Sequence, residues 1–296
     1  MPQGRGRRSL TVRVARRLVG WYETWAERRA VARFIRGGRR PWSPGYTAYK
    51  HRVLREILRE GETLARFAEG RALPAGVGLG LDERVVEYPW VLSRLRPADL
   101  TLLDAGGALV HDFLLELPVL RRRSIVAYSL ASEGVVSADN VSYIRGDLRD
   151  TILREACFDE VVCLSTLEHV GMDNTRVYAA DSRWREERPD DYQRAVRELR
   201  RVLKPGGQLL VTVPYGRYEN HGWLQQFDRA MVERVVEVFA GAQATVEYFK
   251  YADGGWQRAD ADTCMDCRYF DVQSRKDDGP DYVAAARAVA CMELMK

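Results

Sequence analysis

From residue 100 onward the chain alternates short apolar runs with amphipathic stretches. The runs at 100–104, 124–130, 141–146, 159–165, 207–213 and 244–251, with a last one at 286–295, have the length of strands. Between them lie stretches of helical spacing. The clearest is 190–203, DDYQRAVRELRRVL, with acids in its first turn, basic residues near its end and a stop at Pro205-Gly206-Gly207. Another helix is predicted at 228–239. Strand–helix alternation of this kind predicts an α/β fold: a doubly wound, mostly parallel sheet of seven strands with helices on both faces. The final two strands are expected to pair antiparallel across the polar connection 252–281.

Ahead of this region the periodicity is helical only. Leu10, Val14, Leu18, Trp21 and Trp25 share one face of a predicted helix over 9–35, and 47–69 and 81–95 read as two more helical stretches. The Gly/Pro-punctuated segments 37–46 and 73–80 separate them. Three units are therefore expected: a basic amphipathic arm (1–40), a helical cap (41–96) and a sheet domain (97–296).

Charge sharpens that division. The formal net charge is +4, yet residues 1–40 hold twelve Arg against only Glu23 and Glu27, so the remainder of the chain is mildly acidic. A basic amphipathic helix suits an anionic membrane surface, a partner, or its own domain. No run of 18 apolar residues suggests a membrane span. Cys163 and Cys291 fall inside apolar strands and read as small core residues, and the simplest setting for the five cysteines is a reduced, cytoplasmic one.

The candidate chemistry begins at LLDAGGA, where a strand ends on Asp104 and turns through Gly106 and Gly107. Ligands of doubly wound sheets sit at the carboxyl ends of the strands. A dinucleotide turn needs G-x-G-x-x-G, but Ala108 and His111 occupy the two later glycine positions. A carboxylate at Asp104 repels a diphosphate and suits a cationic ligand.

The stretch 80–251 resembles the class I S-adenosylmethionine-dependent methyltransferases. The likeness rests on Asp104-Ala105-Gly106-Gly107-Ala108, on YIRGDLRD, on FDEVVCLSTLEHV and on RELRRVLKPGGQLLVTVP, in that order. It implies a Rossmann-like sheet with an antiparallel last strand, and S-adenosyl-L-methionine as cofactor. Asp104 and Gly106 would flank its methionine part, and Gly107 and Ala108 would let the backbone approach. Asp147 would accept from the adenine amino group with Leu148 beside it, and Ser165 and Thr166 would border the reacting centre. The acidic residue that holds the ribose diol in the family is replaced by Ser129, which leaves at most a neutral hydrogen bond in place of a charge-assisted one. Glu133 stands one helical turn later as a substitute. The segments 81–95 and 109–115 resemble a branch linked to small-molecule or glycan methylation, in which Glu87 or Tyr88 would close over the cofactor, or simply pack under the sheet.

Four histidines are present. His51 reads as structural, and His111 as a cap or support for the glycine turn. His169, after the fourth strand, and His221, after the fifth, lie at ligand-side strand ends, so with Glu168 they are the candidates for activating an acceptor. Ser165-x-x-Glu168-His169 is similar to the E-x-x-E-H of metal-assisted O-methyltransferases but lacks the first carboxylate, and action without a metal is expected. Cys264 and Cys267 lack a second C-x-x-C and read as two free thiols. Residues 252–281, and aromatic or basic residues in NHGWLQQFDRA and YADGGWQRAD, are placed to line or cover an acceptor.

The expected activity is methyl transfer to an oxygen or nitrogen of a small-molecule or glycan-precursor acceptor. The alternatives are an RNA 2′-O-methyltransferase whose arm contacts phosphates, and a catalytically silent relative that binds a partner or membrane through 9–35.

Overall fold

The computed structural model describes residues 25–130, 136–176, 182–271 and 285–296. Most of the arm's apolar stripe, Leu10 to Trp21, lies outside the described residues, as does Glu133. The described end of that helix, α1 (25–36), docks on the rest of the chain through buried Val31 and Phe34 and through an ion pair of Glu27 with Arg55 at 2.7 Å. The predicted helix 47–69 is two helices, α2 (Tyr46–Arg59) and α3 (Gly61–Ala68), because Glu60 between them takes an extended conformation ahead of Gly61. Then come α4 (Arg84–Leu92), β1 (Thr101–Ala105), the short α5 (Asp112–Leu115) and α6 (Pro118–Arg121), and β2 (Ser124–Ser129). β3 (Val141–Arg145), β4 (Phe158–Leu164), α7 (Tyr192–Val202) and β5 (Leu203–Pro214) follow, then the two-residue strands β6 (Glu219–Asn220) and β7 (Gln225–Gln226). The chain closes with α8 (Arg229–Phe239), β8 (Gln243–Ala252), β9 (Gly255–Ala259), α9 (Ala261–Cys264) and β10 (Ala288–Met295).

The main sheet runs β3-β2-β1-β4-β5-β10-β8-β9. Its first five strands are parallel, and β10 lies between β5 and β8, antiparallel to both. This is the expected Rossmann-like sheet, with eight strands in place of seven. The extra strand, β9, comes from the connection read as merely polar: Asp253-Gly254 folds β8 back on itself, pairing Ala252 with Gly255 and Tyr251 with Trp256. An Asp-Gly step between apolar runs is a strong hairpin signal.

Why the sheet is covered twice is visible in its alternation. Leu102, Val162, Leu164, Leu210, Phe249, Val289 and Cys291 face one core, shared with α1 to α6. Their neighbours Leu103, Val161, Cys163, Leu209, Val211, Ala290 and Met292 face the other, shared with α7 and α8. The helices of 41–96 therefore contribute to the same core as the sheet. At the amino ends of the strands Arg123 and Glu160, both fully buried, pair at 2.6 Å. Gln208 and the Arg96 amide also donate to Glu160. No helix among the described residues is long and apolar enough to cross a membrane.

Candidate active site

The turn after β1 is built by its glycines. Gly106 has φ 110° and Gly107 φ 77°, conformations that side-chain-bearing residues rarely hold. The Gly106 amide donates to the Tyr128 carbonyl at 2.8 Å. A Cβ on Gly106 would stand 2.2 Å from Thr166 Oγ1, whereas nothing lies within 4 Å of the same position on Gly107. One glycine thus admits β4's following loop, and the other leaves bare backbone facing open space. The cleft alongside is narrow and open to solvent, and it is lined by Gly106, Ser129, Asp147, Leu148, Thr166 and His169, so residues from the ends of four parallel strands meet there.

Asp104 lies beneath this turn rather than in the lining. It is fully buried, its Oδ2 accepts from the Leu109 amide at 2.8 Å, and its Oδ1 has no hydrogen-bond partner. Burial pushes its carboxyl up to about 7. Ala108 is held from the other side, its carbonyl accepting from the Tyr88 hydroxyl at 3.0 Å. Tyr88 and Glu87 are both buried and do not close over the cleft. Glu87 instead accepts from Ser165 Oγ and Thr212 Oγ1, each at 2.6 Å, and pairs with Arg84 at 2.6 Å. Ser165, at φ 39°, thereby turns its hydroxyl away from the cleft.

Asp147 has a partner the sequence did not announce. Arg149 reaches its two oxygens at 3.0 and 2.6 Å and also pairs with Glu186 and Asp191. Burial pushes the Asp147 carboxyl up, but the hydrogen bonds from Arg149 outweigh it and hold it below the usual carboxylate range. Arg149 and Glu186 also line the cleft.

A second, wider cavity of about 360 Å³ opens on the other side of His169. Trp42, Lys50, Asp82, Glu83 and Arg84, from α2, the start of α4 and the turns before them, form one wall; Ser165, Glu168 and Trp223 come from the strand ends; Tyr269 to Asp271 close a third side. His169 Nδ1 lies 2.9 Å from the Trp223 carbonyl. A carbonyl only accepts, so Nδ1 carries the proton and Nε2 keeps its lone pair. Burial pushes the imidazole down to about 4, so it is neutral at physiological pH. Glu168 is 3% exposed, its Oε2 has no hydrogen-bond partner, and burial pushes its carboxyl well above the usual range. Glu83 is pushed up to about 8 by burial, and its Oε2 is likewise unpartnered.

The structure brings His169 and Glu168 together but not His221. His221 lines neither cavity; its ring packs 5.3 Å from that of Tyr269 and its Nε2 lies 3.5 Å from Glu219. His51 packs on Phe113, and His111 stacks on the same ring without capping α5. Trp256 is a core residue donating to the Leu81 carbonyl, so of the two aromatic-rich segments only the first, through Trp223, reaches the cavity. Of the proposed lid, Tyr269 to Asp271 line the cavity and 272–281 lie outside the described residues. Cys264 and Cys267 are free thiols. Among the described residues no three His, Cys, Asp or Glu side chains are grouped to hold a metal ion.

Residues 120–211 match the family model for a methyltransferase domain. No curated protein matches the chain in sequence. Solved structures with a similar arrangement include the YcgJ protein of Bacillus subtilis, 14% identical over 70% of this chain and 96% of that one, TM-score 0.43. A 1,6-didemethyltoxoflavin-N1-methyltransferase of Burkholderia thailandensis, with bound 1,6-didemethyltoxoflavin and S-adenosylhomocysteine, is 16% identical over 82% and 87%, TM-score 0.41. An S-adenosylmethionine-dependent methyltransferase of Mesorhizobium loti is 12% identical over 70% and 97%, TM-score 0.40. The match to the methyltransferase domain falls on β2 to β5, and the glycine turn opens the cleft just before it.

Proposed function

We propose that the enzyme methylates an oxygen or nitrogen of a small acceptor held in the second cavity. The observation that carries this reading is that His169 is a wall of both cavities. A donor in one and an acceptor in the other would meet beside it.

The first cleft fits S-adenosylmethionine by its chemistry. Gly107 offers bare backbone, Ser129 a hydroxyl and Asp147 an ionised carboxylate, while the unpartnered Oδ1 of Asp104 supplies an acceptor beneath the turn. In this reading Asp104, Gly106, Gly107 and Ala108 hold the methionine part, Ser129 the ribose, and Asp147 with Leu148 the adenine. Thr166 borders the centre, and Ser165 shapes it through its bond to Glu87. When bound, the cofactor supplies an electrophilic methyl group on a sulfonium. The chain's own contribution is placement: most of the rate gain in such a displacement comes from holding the partners in line. His169 Nε2 accepts a hydrogen bond from the acceptor, Glu168 takes up its proton, and His221 positions Tyr269.

Calorimetry with S-adenosylhomocysteine tests the cleft, and transfer of labelled methyl groups to small-molecule and RNA fractions tests the acceptor class. Binding with label in the small-molecule fraction is expected. Absence of both heat and thermal shift would leave a silent relative, and label confined to RNA would replace the acceptor assignment.

A further inference from the structure

Resting on the reading above, we infer that the second cavity recognises an organic amine, whose ammonium group sits between Glu168 and Glu83 and gives up its proton to Glu168. Two carboxyl groups of the cavity lack a hydrogen-bond partner without such a ligand. Lys50 is taken by Asp82 at 2.7 Å, and Arg84 by Glu87, behind the wall, at 2.6 Å. Glu83 and Glu168, which line the cavity beside Asp271, each have a buried Oε2 that no donor among the described residues reaches. A buried polar atom without a partner costs free energy that a ligand can recover. Both carboxyls line one cavity with Tyr269, whose hydroxyl is pushed upward by burial first and then by Glu83, Glu168, Asp271 and Asp82.

An ammonium group satisfies this arrangement because it presents several N–H donors from one atom, whereas a hydroxyl presents one and a carboxylate none. The remaining walls agree. Trp223 and Tyr269 stand edge to face with centroids 6.5 Å apart, and Trp42 adds a third ring. Aromatic faces attract cations and accept an apolar body. A divalent ion fits less well, since no three ligating side chains are grouped among the described residues.

The proton step balances simply. Burial favours the Glu168 carboxylic acid in the free protein, so the entering ammonium displaces that proton to solvent as it pairs with the carboxylate. R–NH3+ and the carboxylate then become R–NH2 and the carboxylic acid, because a buried site favours the neutral pair over separated charges. The nitrogen lone pair is then free for methylation, and His169 Nε2 accepts from a remaining N–H.

The test is calorimetry on the S-adenosylhomocysteine-saturated protein with arylalkyl amines of graded size, phenethylamine and tryptamine among them, each beside its matched alcohol and carboxylate. At least one amine should bind tenfold or more tightly than its alcohol, with no carboxylate binding. Glu168→Gln should remove that preference while S-adenosylhomocysteine affinity is kept, and Glu83→Gln should weaken it. Alcohols or carboxylates binding as tightly as amines, no amine binding at all, or an amine preference surviving Glu168→Gln would overturn the inference. Failure of S-adenosylhomocysteine to bind would instead sink the methyl-transfer reading, and the same amine series on the unliganded protein would still decide the cavity's preference.

Discussion

Gly106→Ala puts the construction of the cofactor turn to a quantitative test. The added Cβ would lie 2.2 Å from Thr166 Oγ1, 2.9 Å from its Cγ2 and 3.1 Å from its Cβ. Thr166 cannot simply rotate away, because its hydroxyl donates to the Leu164 carbonyl at 2.8 Å. Displacing it forfeits a hydrogen bond of about 1 kcal/mol. Independently, φ 110° in a residue with a Cβ costs on the order of 1–3 kcal/mol. Together these give a destabilisation of about 3 kcal/mol. The same displacement moves Thr166 and the turn, two sides of the cleft, so S-adenosylhomocysteine should bind at least tenfold more weakly.

The two causes separate in a double-mutant cycle. Thr166→Ala removes both close atoms but leaves φ unchanged, so Gly106→Ala should cost less in that background by about 1–2 kcal/mol, within the coupling expected of touching residues. Urea unfolding, read as midpoint shifts at constant slope, gives the stability terms; calorimetry gives the affinity. A Gly106→Ala protein with the parent midpoint and parent affinity would refute the argument. Strict additivity would leave only the backbone term.

Three further outcomes follow from the buried charges. Arg123→Ala leaves buried Glu160 with only the more distant Arg96 guanidinium, at 3.5 Å, as counter-ion and should cost about 3 kcal/mol in urea unfolding; a loss under about 1 kcal/mol would show that Arg96 and Gln208 suffice. Asp104 has its folded pKa raised by burial from 3.8 to about 7, so the folded state holds a proton that the unfolded state releases, and stability falls as pH rises through that window. The fall is about 4 kcal/mol at 1.36 kcal/mol per unit; Asp104→Asn should flatten it, and parallel stability profiles from pH 4 to 8 would count against it. His169, held down to about 4 by burial, should show an Nδ1-protonated neutral ring by nitrogen NMR at every pH above about 5, contrary to an imidazolium forming near 6.5.

The elements readable in the sequence were those whose burial leaves a period. Leu102 and Leu103, or Val161 to Leu164, alternate between two cores, and that alternation alone implies helices on both faces. Asp104-Ala105-Gly106-Gly107 was legible because positive φ and close approach demand glycine. β9 was missed because a polar segment hid its Asp253-Gly254 hairpin step. Arg149 stood next to Asp147 in plain view, yet ion pairing to Glu186 and Asp191 depends on where a distant loop returns. His221 shows the opposite failure: a histidine after the fifth strand has the right address, but a side chain's direction is not fixed by its strand end, and here Tyr269 stands near it at the cavity wall.

The second cavity was the least legible part for a physical reason. Its outer wall, Trp42, Lys50 and Asp82 to Arg84, precedes the sheet in sequence and lies at helix starts and the turns before them, and helical periodicity says which face is apolar without saying which end reaches the strand edge. What fixes that end is Glu87. Fully buried on α4, it accepts from Ser165 after β4 and from Thr212 on β5, so three elements meet at one carboxylate. The turn and strand ends that frame the first cleft belong to the sheet itself, whereas the outer wall of the second cavity is attached to it through α4. Loss of Glu87 should therefore disturb the registry between the two.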